Sequence, residues 1–196
     1  MNDSNDKSLA PEYFDRVYNA ADDPWNFASS EYEAAKYAAT IAALPDKNYR
    51  SAFEIGCSIG VLTEKLAALC QSLLAVDVNE KALNQAHSRC ADLPNVHFRR
   101  MVVPNEFPDE NFDLIIVSEI GYYLSAIDWE RAEEQIVSRL NSSGVVILVH
   151  WTHFVADYPQ NGDAVHDSFA ELGAGKLKHL VSKRTDDYRL DVWRKL

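Results

Sequence analysis

The sequence predicts an α/β fold with a seven-stranded, mostly parallel sheet, helices on both faces and an antiparallel C-terminal strand. Beyond residue 50, segments that are apolar throughout alternate with helical patterns, which is typical of parallel strands covered on both faces. The last two apolar segments, 179–185 and 188–196, flank an Asp-Asp turn and therefore predict an antiparallel hairpin. No internal repeat or linker interrupts the 196 residues, so we expect a single domain, 1–196.

The N-terminal part of the chain is expected to form a helical extension or lid, 1–45, on an α/β core, 46–196. Its first ten residues are polar, and we expect them to fray. The stretch 13–27 is rich in aromatic residues, and an Asp-Asp-Pro turn interrupts it. We interpret that stretch as irregular.

The remaining elements follow in order along the chain. Ser30 and Glu33 form a capping-box pattern, which predicts the start of a helix that Pro45 ends. The expected strands are 52–55, 73–78, 96–101, 111–120 and 144–151, and the expected helices between them are 61–70, 79–90 and 129–140. The stretch 154–167 is interpreted as a polar loop.

Composition excludes several classes of protein. The chain has 30 acidic and 19 basic residues, a formal net charge of −11, which weighs against a nucleic-acid partner. No apolar run approaches the roughly 20 residues of a membrane helix, and the N-terminus has no signal-peptide pattern. The three cysteines form no C-x-x-C pair, so neither a disulfide framework nor a metal site is expected. We therefore expect a cytoplasmic protein.

A glycine-rich bend joins the first predicted strand to a helix in SAFEIGCSIGVLTEKLA. Asp77 ends the next strand, 21 positions after Gly56. Ligands of such sheets bind at the carboxyl ends of the strands, where an acidic residue can bind the ribose hydroxyls of a nucleoside. Alternatively, Gly56 and Gly60 only allow close packing of strand and helix, and Asp77 only precedes and caps a helix. The spacing of the three residues favours a nucleoside-type ligand.

The residues of the bend distinguish between two nucleoside ligands. A dinucleotide site typically has G-x-G-x-x-G, and the middle glycine is absent here. Glu54 also places a carboxylate near the bend, where it would repel a pyrophosphate and attract a cation. The sequence therefore favours S-adenosylmethionine (SAM), which carries a sulfonium and an ammonium group, while an NAD-binding protein remains an alternative.

Three motifs in this order resemble those of the Rossmann-like class I SAM-dependent methyltransferases: FEIGCSIG, LLAVDVN and DENFDLIIVSEIGYYL. That resemblance covers roughly residues 45–196. The segments PWNF, SSEYEAAKYAATIAALP, EIGCSIGVLTEKLA and SEIGYYL are more closely similar to the NodS-type nodulation-factor N-methyltransferases. Members of that family methylate the free amine of a de-N-acetylated sugar. The resemblance implies SAM as methyl donor, S-adenosylhomocysteine as product and a chitooligosaccharide as acceptor.

The resemblance also implies roles for individual residues. Asp77 would bind the ribose and Val78 would pack on the adenine, while Glu54 would orient the bend. The family often has an aspartate after the third strand, where this chain has Arg-Met-Val, so backbone amides are expected to bind the adenine there. The residues expected to bind the donor are Glu54, Gly56, Cys57, Gly60, Asp77, Val78, Met101, Val102 and Glu119.

The acceptor side is predicted from the ends of the fourth and fifth strands. Methyl transfer to an amine needs a free lone pair, so a nearby carboxylate or histidine would help to accept the proton. Glu119 and His150 are the catalytic candidates, although Glu119 alternatively caps a helix and His150 alternatively is a polar loop residue. The expected substrate-binding residues, which alternatively only pack, are Trp25, Tyr32, Tyr122, Tyr123, Trp151 and His153.

Several functions stay open on the sequence alone. An O-methyltransferase, a methyltransferase of another small amine and a non-catalytic SAM- or nucleotide-binding protein are all compatible with the motifs. The expected partner is a small molecule or an oligosaccharide, and the oligomeric state is undetermined. Lys36 and Tyr32 are candidates to bind the methionine carboxylate, and Asp157 and Tyr158 suit a sugar. His87, His97, His166 and His179 are interpreted as structural residues at surface or helical positions.

Overall fold

The computed structural model describes residues 7–196. The expected fraying of the first ten residues lies, for residues 1–6, outside the described part of the chain. For Ser8 and Leu9 it is wrong, because Oγ of Ser8 accepts the N–H of Ser125 at 2.9 Å and the N–H of Leu9 donates to the carbonyl of Tyr123 at 2.8 Å. Two compact units are present: one is Ala10–Val102, and the other is Val103–Leu196 with the N-terminal segment that ends at Leu9. The expectation of a single domain stays a prediction.

The unit Ala10–Val102 contains three parallel strands in the order β3-β2-β1. Its elements are α1 (Pro11–Ala20), α2 (Glu31–Ala43), β1 (Ala52–Ile55), α3 (Val61–Ala67), β2 (Leu73–Asp77), α4 (Glu80–Arg89) and β3 (Val96–Arg100). Ala52 pairs with Leu73, and Leu73 with Val96, so the three strands run in register from their first residues. All four residues of β1 are buried, as expected for a strand covered on both faces.

The unit that ends at Leu196 contains four strands in the order β4-β5-β7-β6. Its elements are β4 (Phe112–Ser118), a 3₁₀ turn (Gly121–Tyr123), α5 (Ala126–Arg139), β5 (Leu140–Trp151), α6 (Gly162–Leu172), β6 (Leu177–Arg184) and β7 (Tyr188–Lys195). β4 and β5 are parallel, whereas β7 runs antiparallel to both β5 and β6. The predicted C-terminal hairpin is therefore confirmed.

Local sequence explains where the helices start. Side-chain oxygens that precede four of the helices accept the backbone N–H three residues on, which satisfies a donor that has no partner within the helix. These capping residues are Ser30, Asn79, Ser125 and Asn161. Pro11 starts α1, where its missing N–H costs nothing.

Two predictions about helices were wrong. The stretch 13–27 is not irregular throughout, because α1 extends to Ala20 with Tyr18 on its buried side. The stretch 154–167 is not a loop throughout, because α6 begins at Gly162 and buries Val165 and Phe169 in the core of the unit that ends at Leu196. In each helix the packed apolar residues lie four positions apart, so the helical period is present in the sequence and was overlooked beside the polar residues and turns that flank it.

The predicted fold class is confirmed. The described residues form the seven strands expected for the Rossmann-like class I methyltransferase fold, with β7 antiparallel to its neighbours. The strand positions agree with the prediction within a few residues, except that β5 starts four residues earlier, at Leu140. Among residues 7–196, no helix is both long enough and apolar enough to cross a bilayer.

Candidate functional site

The bend after β1 has the conformation that its glycines predict. Gly56 and Gly60 have φ angles of 78° and 81°, and Ser58 between them also has a positive φ, 50°. A Cβ on Gly60 would lie 3.0 Å from the backbone and side chain of Ala86, so this glycine allows α4 to approach the bend. The backbone N–H of Gly56 donates to the carbonyl of Val76 at 2.8 Å, which ties the bend to β2.

Asp77 lies at the end of β2 and faces this bend. The backbone N–H of Ser58 donates to its Oδ2 and that of Asn79 to its Oδ1, both at 2.9 Å. Burial raises the pKa of Asp77, and these backbone donors oppose the shift. Each carboxylate oxygen has two lone pairs, so Asp77 can accept further hydrogen bonds from a diol while it holds the bend.

Tyr18 of α1 belongs to the same site, and the sequence did not predict it. Its hydroxyl lies 2.5 Å from Oγ of Ser58, and its ring is buried against Ile59 and Ala82. Burial, together with the nearby charge of Asp77, raises the pKa of Tyr18. The signal in the sequence was the pair of aromatic residues four positions apart, Phe14 and Tyr18, which lie on one face of a helix.

The predicted substrate residue Trp25 packs with α1 and the bend. Its ring meets that of Tyr18 edge to face at 5.5 Å and stacks on Phe27, also at 5.5 Å. Together these rings cover the side of the bend that carries Ile59. A role of this segment as a mobile lid stays a prediction.

Glu54 lies on β1, in the buried strand that leads into the bend. Its carboxyl is 2% exposed, and Oγ1 of Thr63 on α3 donates to it at 2.6 Å. Burial raises the pKa of Glu54 to about 7, although the bond from Thr63 opposes this. The carboxyl group therefore titrates near neutral pH, and a neighbouring cation would favour its charged form.

The other residues expected to contact the donor line the ends of β1, β2 and β3. Cys57 is buried against Ala75 and Leu83, and burial raises the pKa of its thiol. Met101 is buried, and its backbone N–H donates to the carbonyl of Asp77 at 3.0 Å. Val78 and Val102 are half-buried.

The predicted residues of α2 form a buried charged group. Nζ of Lys36 lies 3.0 Å from Oε1 of Glu33 and 5.2 Å from the ring centre of Tyr32. Lys36 is only 2% exposed. Its charge is therefore balanced within the helix by Glu33, a residue that the sequence pattern indicated only as part of a capping box.

Within the unit that ends at Leu196, Glu119 follows β4 with a positive φ of 61°. Its side chain accepts a hydrogen bond from the hydroxyl of Tyr122 and another from the backbone N–H of Trp151, the latter at 2.9 Å. Burial and the charge of Glu119 raise the pKa of Tyr122. Glu119 is thus held by the 3₁₀ turn and by the end of β5.

Three tyrosines form a cluster beside Glu119. The ring of Tyr158 stacks on Tyr122 at 5.2 Å and meets Tyr123 edge to face at 4.8 Å. Tyr122 and Tyr123 are buried, and Tyr158 is half-buried. The structure therefore brings Tyr158, which the sequence suggested only as a sugar-stacking residue, to the predicted Tyr122 and Tyr123.

His150 and His153 have different surroundings. His150 is fully buried, and its Nε2 accepts the backbone N–H of Gly121 at 3.0 Å. His153 is exposed, packs on Trp151 with ring centres 4.5 Å apart, and contacts Oδ1 of Asp187 at 3.0 Å. The roles of His150 as a base and of Trp151 and His153 in substrate binding stay predictions.

His166 was predicted to lie at a surface or helical position. It does lie on α6, but it is fully buried and contacts the rings of other buried residues. Its Nε2 lies 3.0 Å from Nδ1 of His150, and its Nδ1 lies 2.7 Å from Oδ2 of Asp191. The sequence could not indicate this arrangement, because its members come from β5, α6 and β7.

Comparison with known proteins decides the family. The model of the family "Nodulation protein S (NodS)" matches residues 12–156. The chain belongs to the NodS family. The matched segment contains the glycine bend, Asp77, Glu119 and His150, so the resemblance stated from the sequence motifs is confirmed.

Curated NodS proteins support this assignment. The Nodulation protein S of Bradyrhizobium diazoefficiens is 34% identical over 66% of this chain and 63% of its own length. That of Azorhizobium caulinodans is 33% identical over 84% of this chain and 75% of its own length. With Sinorhizobium fredii the match covers 61% of the relative. The chain therefore spans about three fifths of the length of several NodS relatives.

Solved structures share the fold. A crystal structure from Pseudomonas syringae is 35% identical, with a TM-score of 0.74, over 85% of this chain and all of that chain. The N-methyltransferase NodS from Bradyrhizobium japonicum WM9, in complex with S-adenosyl-L-homocysteine, has a TM-score of 0.80 at 23% identity. That match covers 94% of this chain and 97% of the other, and it supports the Rossmann-like fold of this NodS-family protein.

Proposed function

We propose that this NodS-family chain is a SAM-dependent N-methyltransferase whose acceptor is the amine of an amino sugar in a partly deacetylated oligosaccharide. The observation that carries the proposal is the family match over residues 12–156. A second, independent support is the chemistry of the bend after β1. Its two buried carboxyl groups, Glu54 and Asp77, suit a cation that carries a ribose and disfavour a pyrophosphate.

The donor side of the proposal fits the residues that are present. Asp77 would accept the ribose hydroxyls, because its oxygens keep lone pairs beyond those used by Ser58 and Asn79. Gly56 and Gly60 let the backbone pass close to a ligand, and Val78, Met101 and Val102 would surround the base. Bound SAM would supply an electrophilic methyl group on a sulfonium.

On the acceptor side, Glu119 is the proposed residue for the amine. An amine attacks only as the neutral base, so an acceptor that binds as an ammonium ion must first lose a proton. Attack then breaks the bond between the methyl group and the sulfonium, and the positive charge passes from sulfur to the methylated nitrogen. A carboxylate can hold the ammonium form of the acceptor and then take the proton. Tyr122 and the backbone N–H of Trp151 fix the carboxylate of Glu119 for that task.

The tyrosine cluster would bind the acceptor's sugar rings. Tyr122 and Tyr123 are buried and pack against the half-buried ring of Tyr158, and that ring would stack on the apolar face of a pyranose. Exposed Phe154 and the Trp151–His153 pair lie in the same loop region. We also place the protein in the cytoplasm, because its three cysteines are buried free thiols.

A methyl-transfer assay with labelled SAM tests the proposal. The acceptors are partly deacetylated chitooligosaccharides, their fully acetylated counterparts, and a panel of small amines and small hydroxyl compounds. We expect label only in acceptors with a free amine, and most in the oligosaccharides. Transfer to the fully acetylated oligosaccharide at the same rate would contradict N-methylation, and transfer to small amines alone would contradict the sugar acceptor.

Calorimetry separates donor binding from catalysis. We expect SAM and S-adenosylhomocysteine to bind and NAD not to bind, because the carboxyl groups of Glu54 and Asp77 would repel the pyrophosphate of NAD. If SAM binds but no acceptor in the panel is methylated, the protein binds SAM and the proposed transfer to an amino sugar is wrong. Tight binding of NAD without binding of SAM would contradict the donor assignment altogether.

A further inference from the structure

A hydrogen-bonded chain of buried polar side chains runs through the unit that ends at Leu196. It consists of His150 on β5, His166 on α6 and Asp191 on β7, all three fully buried. The contacts are 3.0 Å between Nδ1 of His150 and Nε2 of His166, and 2.7 Å between Nδ1 of His166 and Oδ2 of Asp191. Burying such groups costs free energy unless every hydrogen bond is made.

The positions of the protons follow from one fixed donor. A backbone N–H can only donate, so Nε2 of His150 must accept from Gly121. His150 is therefore neutral and carries its proton on Nδ1, which donates to Nε2 of His166. His166 in turn carries its proton on Nδ1 and donates to the carboxylate of Asp191, the end of the chain.

In each of these hydrogen bonds, the donor lies on the side of Gly121 and the acceptor on the side of Asp191. Its carboxylate also accepts from Nε of Arg189 at 2.7 Å and lies 2.9 Å from Nε2 of His179. A carboxylate that accepts from one imidazole N–H makes the other nitrogen of that ring a better acceptor. Through the two imidazole rings, Asp191 thus strengthens the hydrogen bond that Nε2 of His150 accepts from the N–H of Gly121.

Gly121 starts the 3₁₀ turn that carries Tyr122, and the turn fits closely at this point. A Cβ on Gly121 would lie 2.4 Å from a methyl group of Val165 and 3.2 Å from Nε2 of His150. The hydroxyl of Tyr122 donates to Glu119. A shift of Gly121 would therefore move the tyrosine that fixes the proposed acceptor carboxylate.

We propose that His166 and Asp191 are positioning residues for methyl transfer: they fix the tautomer of His150, which holds Gly121 and thereby places Tyr122 and Glu119. His150 is then a positioning residue as well, and not the base that accepts the acceptor's proton. This inference rests on the proposed function, because Glu119 is assigned to the acceptor there.

Three substitutions at His166 separate positioning from simple packing. His166→Gln places an amide oxygen near the position of Nε2, so it can still accept from His150. His166→Asn places its amide near the position of Nδ1 and keeps only the contact with Asp191. His166→Phe keeps an aromatic ring but can form neither the hydrogen bond with His150 nor the one with Asp191. We expect kcat to fall by on the order of 10- to 100-fold in the Asn and Phe variants, and to be largely retained in the Gln variant.

His179→Gln is the matched control. It removes an imidazole that contacts the other oxygen of Asp191, from the partly exposed strand β6, and leaves the chain from Gly121 to Asp191 intact. We expect its kcat to match that of the wild-type protein. We expect the Kd for SAM to change by less than about threefold in all four variants, because Glu119 alone among the expected donor residues lies outside Ala10–Val102.

Nuclear magnetic resonance tests the inference without any activity. Imidazole ¹⁵N shifts of the wild-type protein should show His150 and His166 neutral with the proton on Nδ1, and the amide signal of Gly121 should move in His166→Phe but not in His166→Gln. The inference is overturned if the ¹⁵N shifts place the proton of His150 on Nε2, or if the amide signal of Gly121 does not move in His166→Phe. It is also overturned if His166→Gln and His166→Asn lose kcat to the same extent, in proportion to their loss of thermal stability. If the wild-type protein transfers no methyl group, the proposed function fails, whereas these signals still decide whether the chain holds the turn.

Discussion

The backbone N–H of Ser58 donates to the carboxylate of Asp77 at 2.9 Å, so this hydrogen bond joins the glycine bend to the end of β2. The hydroxyl of Tyr18 lies 2.5 Å from the Oγ of the same serine. The residue expected to bind ribose is therefore also the residue that holds the bend. Such double use keeps the carboxylate oriented before a ligand arrives, which reduces the ordering cost of binding.

Asp77→Asn should weaken SAM binding. The substitution keeps the shape of the side chain but replaces one acceptor oxygen with a donor NH₂ group, which faces either a backbone N–H or a ribose hydroxyl. We expect a loss of about 2 kcal/mol in donor binding, about 30-fold in Kd, measured by calorimetry. The exposed Asp92→Asn is the control, and equal affinity of the two variants would show that Asp77 does not bind the ribose.

Glu54 should link donor binding to proton release. Burial raises the pKa of Glu54 to about 7, so a large part of this group is protonated in the free protein near neutral pH. A cationic ligand favours the carboxylate and lowers its pKa, so binding releases a proton and affinity rises with pH through that range. Calorimetry in two buffers of different ionisation enthalpy between pH 6 and 8 measures the released protons.

Glu54→Gln is the variant that isolates this effect. It keeps an oxygen that can accept from Thr63 but cannot titrate. Protons that the ligand itself exchanges with solvent are the same in both proteins, so only the difference counts. If wild-type protein and variant release the same number of protons at every pH, Glu54 does not sense the charge of the donor.

Glu133 on α5 should make the stability of the fold depend on pH. It is 1% exposed, its Oε2 accepts from Ser168 at 3.1 Å, and its Oε1 has no hydrogen-bond partner among residues 7–196. Burial raises its pKa to about 7. The folded state therefore keeps this proton while the unfolded chain loses it near pH 4.5, so stability is lost as pH rises from there through about 7.

The expected measurement is thermal or urea unfolding of Glu133→Gln between pH 5 and 8. The variant has no titratable group at this position, so its free energy of unfolding should exceed that of the wild-type protein by an amount that grows as pH rises. This gain should reach roughly 2–3 kcal/mol at pH 8. The exposed Glu134→Gln on the same helix should show no such gain. A gain independent of pH would mean that Glu133 is not the titrating group.

The sequence predicted the strands and the glycine bend because local patterns determine them. Three of the four buried residues of β1 are apolar, and Gly56 and Gly60 indicate positive φ angles whatever residues they later contact. The side-chain chain from His150 to Asp191 could not be predicted, because its partners are separated by 16 and 25 residues and meet only in the folded unit. Tyr18 was missed for the same reason, since Ser58 lies 40 residues away.

Glu119→Gln should lower turnover far more than donor affinity. The amide oxygen can still accept from Tyr122 or Trp151, so the 3₁₀ turn stays in place. The lost charge removes the group proposed to hold the ammonium form of the acceptor and to take its proton. We expect kcat to fall by on the order of 10²-fold and the Kd for SAM to change by less than about threefold.

Tyr122→Phe is the companion variant for Glu119. It removes the hydroxyl that donates to Glu119 but leaves the negative charge, so kcat should fall less than in Glu119→Gln while the KM for the acceptor rises. Steady-state kinetics with the deacetylated oligosaccharide at saturating SAM measures both constants. If Glu119→Gln turns over at the wild-type rate, the carboxylate takes no part in proton transfer, and its hydrogen bonds from Tyr122 and Trp151 only stabilise the turn.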